Sequence, residues 1–491
     1  MPQLNSVRAE AAGATSSSGT YARRIGLFSG TMMVVGGIIG SGIFLNPALV
    51  AERARTFELT LGVWVLGGGI ALLGALVFAE LGARRPVAGG GYAYLRDAYG
   101  QLPAFLYAWT LLLVIATGAI AAVAVTFATY TAALTGLGPA ARLPLAVGAI
   151  LLLSAVNYLG VKPGAVTQNV FTVLKLAALA ILILAGIMLA PAAAPTEQLE
   201  PLARGGLLLA VGTALVPVLF AFGGWQQTNF VAEELIEPER NLPRALVAGV
   251  TIVVAVYLLA NLAYLRTLGL AGLAGSNAPA ADAMDALLGP PGRRLIAAGI
   301  AISTFGFLNL VILVSPRVYQ AMARDGLFFP SLARLHPRYR TPSAAILFQG
   351  AWAIILTLTG RYGELLDYVV FGDWIFFAAV TSTVFVFRAR ERTGQEPSTI
   401  RYRMPGFPLV PLGFMLAALY VVIGSIASNP GNAVKGTGLI LLGIPVFLFW
   451  RGRGEGGEAG REPPQPRLPR SGTPPCTSGS ARRNTRSPTG P

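Results

Sequence analysis

Cysteine and histidine are almost missing from this 491-residue chain: Cys476 and His336 are its only ones. A single cysteine excludes an intrachain disulfide. One cysteine and one histidine leave no ligand cluster for zinc and almost no material for His- or Cys-based catalysis. No metal, cofactor or catalytic residue is therefore expected, and the chain does not read as an enzyme. Charge is scarce as well. Charged residues make up 12%, against roughly 25% in a soluble domain. Lysine occurs at Lys162, Lys175 and Lys435 alone, so arginine carries nearly all the positive charge. Met1–Ser29 is polar and rich in Ser, Gly and Ala, so no cleavable signal peptide is expected.

What fills the chain is apolar sequence, 54% of it, in long blocks. Leu106–Val125, Leu145–Tyr158, Val170–Ala190 and Leu207–Phe222 hold almost no charge. A helix rises about 1.5 Å per residue and the hydrocarbon layer is about 30 Å thick, so about 20 apolar residues make one span. Repeated blocks of this length exclude a soluble fold. They also exclude an outer-membrane barrel, whose strands are shorter and alternate. The pattern predicts an all-α membrane protein of about twelve spans. They cover 28–52, 59–84, 101–135, 143–160, 164–190, 207–234, 243–268, 293–322, 343–360, 367–388, 407–427 and 433–450.

Net charge is +15. Arginines concentrate on alternate loops: Arg84, Arg85 and Arg96; Arg240 and Arg244; Arg317 to Arg340; Arg388 to Arg403. The remaining loops hold fewer, several beside acids such as Glu52 and Glu58. By the positive-inside rule both termini are cytoplasmic and the number of spans is even. The basic surplus suits anionic membrane lipid, and nucleic acid is not an expected partner. Residues 1–24 and 451–491 lack the apolar residues to bury a core and read as disordered tails. Glu80, next to Arg84 and Arg85, reads as a structural ion pair. Glu233 and Glu234 read as the solvated inner end of the sixth span.

Two glycine clusters interrupt apolar spans: Gly36–Phe44 in the first and Phe220–Trp225 in the sixth. Each glycine costs roughly 1 kcal/mol in a helix interior relative to alanine, so such clusters favour a break. A broken helix at the bilayer midplane must line a cavity. Its free N–H groups attract a carboxylate and its free carbonyls an ammonium. An α-amino acid carries both. The competing reading is close helix packing, since Gly26/Gly30 and Gly36/Gly40 have small-xxx-small spacing. The clusters lie five spans apart, and a repeat of five spans is inverted relative to its copy. Paired breaks in inverted halves point to a binding site.

Lys175 lies well inside the fifth span, where an ammonium is costly and suggests function. Unlike a guanidinium it can give up a proton; it can stand in for a bound cation, or snorkel to the surface. Asp373 in the tenth span either faces the cavity, binding a proton or a cationic group, or sits hydrated near the outer interface.

Gly40–Phe44, Ala79–Leu95, Phe220–Glu234, Ser303–Asn309 and His336–Pro342 together resemble the amino acid–polyamine–organocation transporter superfamily, closest to its L-type amino acid transporter family. The match runs over roughly residues 24–450. The resemblance implies a LeuT-like fold: a five-plus-five inverted repeat, residues 25–190 and 207–388, with two additional helices in 407–450. It implies that N–H groups around Gly40, Ser41 and Gly42 hold the substrate carboxylate. Carbonyls of Ile38, Phe220 and Gly223 hold the amino group, with Ala221 and Phe222 beside them, while Phe220 and Trp225 help to close the site. Lys175 falls on the family's sodium-replacing lysine, with Ser303, Thr304 or Asn309 as eighth-span partners. Departures occur at Gly37, Gln226, Gln227 and Asp373. The loop 136–142 has no cysteine, so no disulfide-linked partner subunit is expected. The expected function is sodium-independent exchange of neutral L-amino acids by alternating access, in a plasma membrane, with a prokaryotic inner membrane favoured. A proton-coupled or cationic amino acid or polyamine symporter is the alternative, and a membrane-embedded enzyme or a channel the remote ones.

Overall fold

The computed structural model describes residues 21–190, 199, 206–359, 362–396, 400–428 and 430–458. Most of the two expected tails, 1–20 and 459–491, lies outside the described residues. Among the described residues the only β contact is an isolated parallel bridge between Ile25 and Leu235. Everything else is helix or connection.

Nine helices among the described residues are long and apolar enough to cross a membrane, and the bent pair Leu27–Ile38 and Gly42–Ala54 makes a tenth. Ser343–Thr359 is apolar but shorter, at 17 residues. Leu207–Ala221, continued by the 3-10 turns Trp225–Glu234, is the remaining segment of the twelve expected. The chain thus has the all-α, LeuT-like architecture, with the first and sixth spans discontinuous. The first span packs on the fifth and seventh, the second on the seventh, and the eighth on the third and fifth.

Two boundaries differ from expectation. The last helix runs on to Glu458 rather than stopping at Trp450, and the Arg453 guanidinium lies 4.4 Å over the Phe449 ring. That contact, one turn back, favours extra helical turns in polar sequence. At the other terminus Tyr21 is buried, and the backbone N–H groups of Arg24 and Ile25 donate to the Glu234 carbonyl at 2.9 and 3.0 Å. Residues 24 and 25 are therefore tied across the end of the sixth span.

The two broken spans also share their prolines. Pro47 follows the first break by six residues, and Pro217 precedes the second by five; in spans that run in opposite directions, both therefore lie on the same side of the breaks. A proline lacks the N–H that would bond the carbonyl four residues back. At Pro47 the stranded carbonyl belongs to Ile43, and Tyr264 Oη donates to it at 3.3 Å. At Pro217 it belongs to Thr213, and Arg53 Nη1 donates to it at 2.6 Å. In hydrocarbon neither carbonyl can be left unmade. The same seam is closed by Asn46 Nδ2, which donates to the Pro217 carbonyl at 2.8 Å.

Candidate functional site

The first span leaves helical geometry at Ile39–Ser41 and resumes at Gly42, its halves bent by 44°. The sixth span leaves it at Phe222–Gly224, and Gly224 takes a left-handed φ of +104°. The breaks meet back to back. A Cβ at Gly37 would lie 2.9 Å from the Gly224 carbonyl oxygen, and one at Gly224 would overlap the Gly37 oxygen. Only two glycines permit this approach. The clusters therefore serve both roles considered for them: Gly36 packs against Gln168 and Thr172 of the fifth span, while Gly40 and Gly42 line an open space.

Carbonyls freed by the first break are held by side chains from three other spans. Lys175 is fully buried and does not snorkel. Its Nζ donates to the Gly36 carbonyl at 3.1 Å and to that of Ile39 at 2.6 Å. Ser303 Oγ donates within reach of Ile39 and Gly40, at 3.3 and 3.0 Å. Tyr257 Oη lies 3.1 Å from both the Ile38 and Ala221 carbonyls, so its one hydrogen bridges the two breaks. The other expected partners of Lys175 fall elsewhere. Thr304 Oγ1 bonds its own helix at Ile300 and Ala301. Asn309 joins the fourth and fifth spans, donating to the Gly164 carbonyl and Gln168 Oε1 at 3.0 and 3.1 Å and accepting from Asn157 at 3.0 Å.

A central cavity lies against the breaks. Ile38, Gly40, Ser41, Gly42, Phe220, Ala221 and Gly223 line it, with Phe307 and Asp373 opposite. Gly42 opens a helix, so the N–H groups of Gly42 and Ile43 lack helical acceptors, whereas Phe44 N donates to the Ser41 carbonyl at 3.1 Å, and the positive dipole end points at the cavity. The Ile38 carbonyl already accepts from Gly40 N at 2.9 Å as well as from Tyr257, so an incoming amino group must share it. Phe222 and Trp225 do not line the cavity. Phe222 is buried against Trp64 and Tyr257. Trp225 stacks on Phe377 at 5.7 Å with Phe78 at its edge. Both support the wall from behind, because rings this large find their apolar partners deeper in the bundle.

Asp373 does face the cavity, half-buried, with no ion pair or hydrogen bond among the described residues. Gln227 Oε1, on the same cavity, is buried and likewise unpartnered. Tyr257, Phe307 and Ser315 were not evident beforehand. Tyr257 carried one usable signal: a phenol within an apolar span must find an acceptor.

Below the cavity the bundle is sealed. Arg317 Nε donates to Glu234 Oε1 at 2.8 Å, with both side chains fully buried. The same guanidinium bonds the Leu313 carbonyl and lies 5.7 Å from the Tyr21 ring centre. Glu234 is thus no solvated helix end: burying it requires the paired arginine. Glu80 pairs with Arg84 as expected, at 2.7 Å, and also with Arg388 at 2.5 Å and with Met404 N at 2.9 Å. Among the described residues no cluster of His, Cys, Asp and Glu could hold a metal.

Comparison with known proteins agrees with this geometry. A family model described as amino acid permease matches residues 25–450. The chain is 34% identical over 433 residues to the human b(0,+)-type amino acid transporter 1, covering 87% of each chain. It is 34% identical over 447 residues to the human large neutral amino acids transporter small subunit 2, covering 87% of this chain and 81% of that one. The mouse b(0,+)-type transporter is 33% identical over 432 residues. The match takes in both broken spans, the buried lysine and the sealed end, and the chain belongs to the amino acid permease family.

Proposed function

We propose that this protein exchanges neutral L-amino acids across a membrane without sodium, by alternating access to the central cavity. The observation that carries the reading is Lys175 Nζ on the Gly36 and Ile39 carbonyls. These are carbonyls the first break sets free, and a fixed ammonium already supplies the positive charge that they attract. No soluble cation is needed to hold the break open. The substrate carboxylate takes the N–H end at Gly42 and its amino group the carbonyl side. The Arg-rich loops support a cytoplasmic placing of both described ends, in a plasma membrane of prokaryotic type. With no cysteine in 136–142, the chain works without a disulfide-linked subunit.

The test is uptake of labelled leucine into sodium-free proteoliposomes, with and without unlabelled leucine inside. Internal leucine is expected to raise the initial rate at least about tenfold, since only an obligatory exchanger needs it to return the site. Equal rates with empty vesicles would remove the exchange reading.

A second reading has its own support. Asp373 and Gln227 Oε1 face the cavity without a hydrogen-bond partner among the described residues, which suits a substrate whose side chain ends in an ammonium. If lysine competes with leucine, Asp373→Asn is expected to weaken that competition about tenfold, the worth of roughly 1.4 kcal/mol in a charge-assisted hydrogen bond. Leucine uptake should be spared. A competition curve unchanged by the substitution would assign Asp373 no part in side-chain binding.

A further inference from the structure

Away from the central cavity, a groove opens on the Arg-rich end of the bundle, between the second span, the start of the seventh and the connection 400–405. Its rim carries Arg240, Arg244 and Arg401 together with the carboxylate of Glu239; its inner wall carries Leu76, Val247 and Ala248. The rim charges are poorly satisfied. Arg401 meets Glu239 at 3.6 Å, and Arg240 meets Glu237 at 3.6 Å, all four side chains about half exposed or more. Exposed pairs this long contribute little. Arg244 has no acidic partner among the described residues. Positive charge is therefore in excess at the rim.

The wall has the opposite character. Leu76 lies about 12 Å in from its helix end at Arg84, and Val247 about 13 Å in from Pro238, at about 1.5 Å per residue. At that depth the surroundings are acyl chain rather than water. A guanidinium rim over an apolar, membrane-deep wall matches one kind of molecule, with a phosphate at one end and a hydrocarbon chain at the other.

We propose that this groove binds an anionic phospholipid, its phosphate held by Arg240, Arg244 and Arg401 and one acyl chain laid along Leu76 and Val247. Arginine suits the phosphate because its planar fork donates to two oxygens at once. With the Arg-rich end in the cytoplasm, the groove faces the leaflet that is rich in such lipid. The connection that supplies Arg401 is not loose. Met404 N donates to Glu80 Oε2, and Arg388 holds the Met404 carbonyl at 3.4 Å. The bound headgroup therefore rests on a wall anchored to the buried Glu80 cluster.

Native mass spectrometry of the full chain with dioleoyl phosphatidylglycerol tests this, with dioleoyl phosphatidylcholine as the zwitterionic control. The wild type should keep one phosphatidylglycerol adduct at least about tenfold more readily than phosphatidylcholine. The variant carrying Arg240→Gln, Arg244→Gln and Arg401→Gln should lose that preference, and Arg244→Gln alone should weaken it if the triple variant folds poorly. Val247→Trp, which fills the wall and leaves the charges, should lose the adduct as well. A preference that survives the arginine substitutions overturns the proposal. Equal protection of the wild type and of Val247→Trp against heating by millimolar inorganic phosphate, with no lipid preference, would mean that the rim takes free phosphate and not lipid.

Discussion

Lys175→Ala is expected to cut exchange turnover about 100-fold while changing the substrate concentration for half-maximal rate much less. The side chain makes two charge-assisted hydrogen bonds to backbone carbonyls and is itself fully buried. Bonds of this type contribute about 1.5–3 kcal/mol each, and an unmade buried carbonyl costs about 1–3 kcal/mol. A net loss of about 3 kcal/mol from the conformation that holds the break corresponds to about 100-fold in rate. Lys175 does not line the cavity, so binding should suffer less than the cycle. Lys175→Met separates charge from volume: it fills the space without a donor and should behave like alanine. Lys175→Arg should not rescue, because Gly306 of the eighth span packs so closely on the lysine that a Cβ there would lie only 3.3 Å from Cε. Counterflow in proteoliposomes reads turnover and half-saturation together. A turnover within twofold of wild type would show that the carbonyls find other donors.

Gly224→Ala should be the most damaging of the small substitutions, abolishing transport and lowering stability by about 3 kcal/mol or more. The left-handed φ alone costs an L-residue about 1–2 kcal/mol. The new methyl would then overlap the Gly37 carbonyl, which is backbone and cannot rotate away. Relief requires the two breaks to separate, and that would pull Ile38 and Ala221 off their shared Tyr257 hydroxyl. Gly148→Ala is the control. Gly148 sits within the fourth span with nothing near its Cβ position, so alanine there should be neutral or stabilise by up to about 1 kcal/mol. A Gly224→Ala protein with an unchanged melting temperature in detergent would mean that the junction of the breaks is looser than its geometry shows.

Much of this architecture was readable in advance because hydrocarbon imposes one-dimensional rules. Span length follows from apolar run length, and breaks follow from glycine clusters, so both broken helices and Lys175 stand out in a single sequence. What stayed hidden are pairings that join residues far apart in the chain. Nothing near Glu234 announces Arg317 or Tyr21, and a double acid at a helix end looks solvated until its partner is known. Phe222 and Trp225 flank a break and read as cavity residues, yet which way each ring turns is decided by Phe377, Phe78 and Trp64 on other spans. Tyr257 is one of 15 tyrosines, and only its two carbonyl acceptors single it out.

The third span meets the cavity at Leu111, Ile115, Ala119 and Val123, a stride of four. On an unbroken α-helix such a stride slips around the axis by about 40° per step, at 3.6 residues per turn. The π-helical turn Leu111–Ile115 absorbs part of that slip by taking one more residue into a turn. Its role is one of phase. Deleting a single residue there would restore an ordinary turn of nearly the same length and rotation, so Phe105 and Tyr107 would keep their facing relative to Ala119. Tyr107 would stay on Phe376, and Phe105 on Phe447. The third span should therefore tolerate the loss of one residue at this turn far better than the loss of one elsewhere along its length.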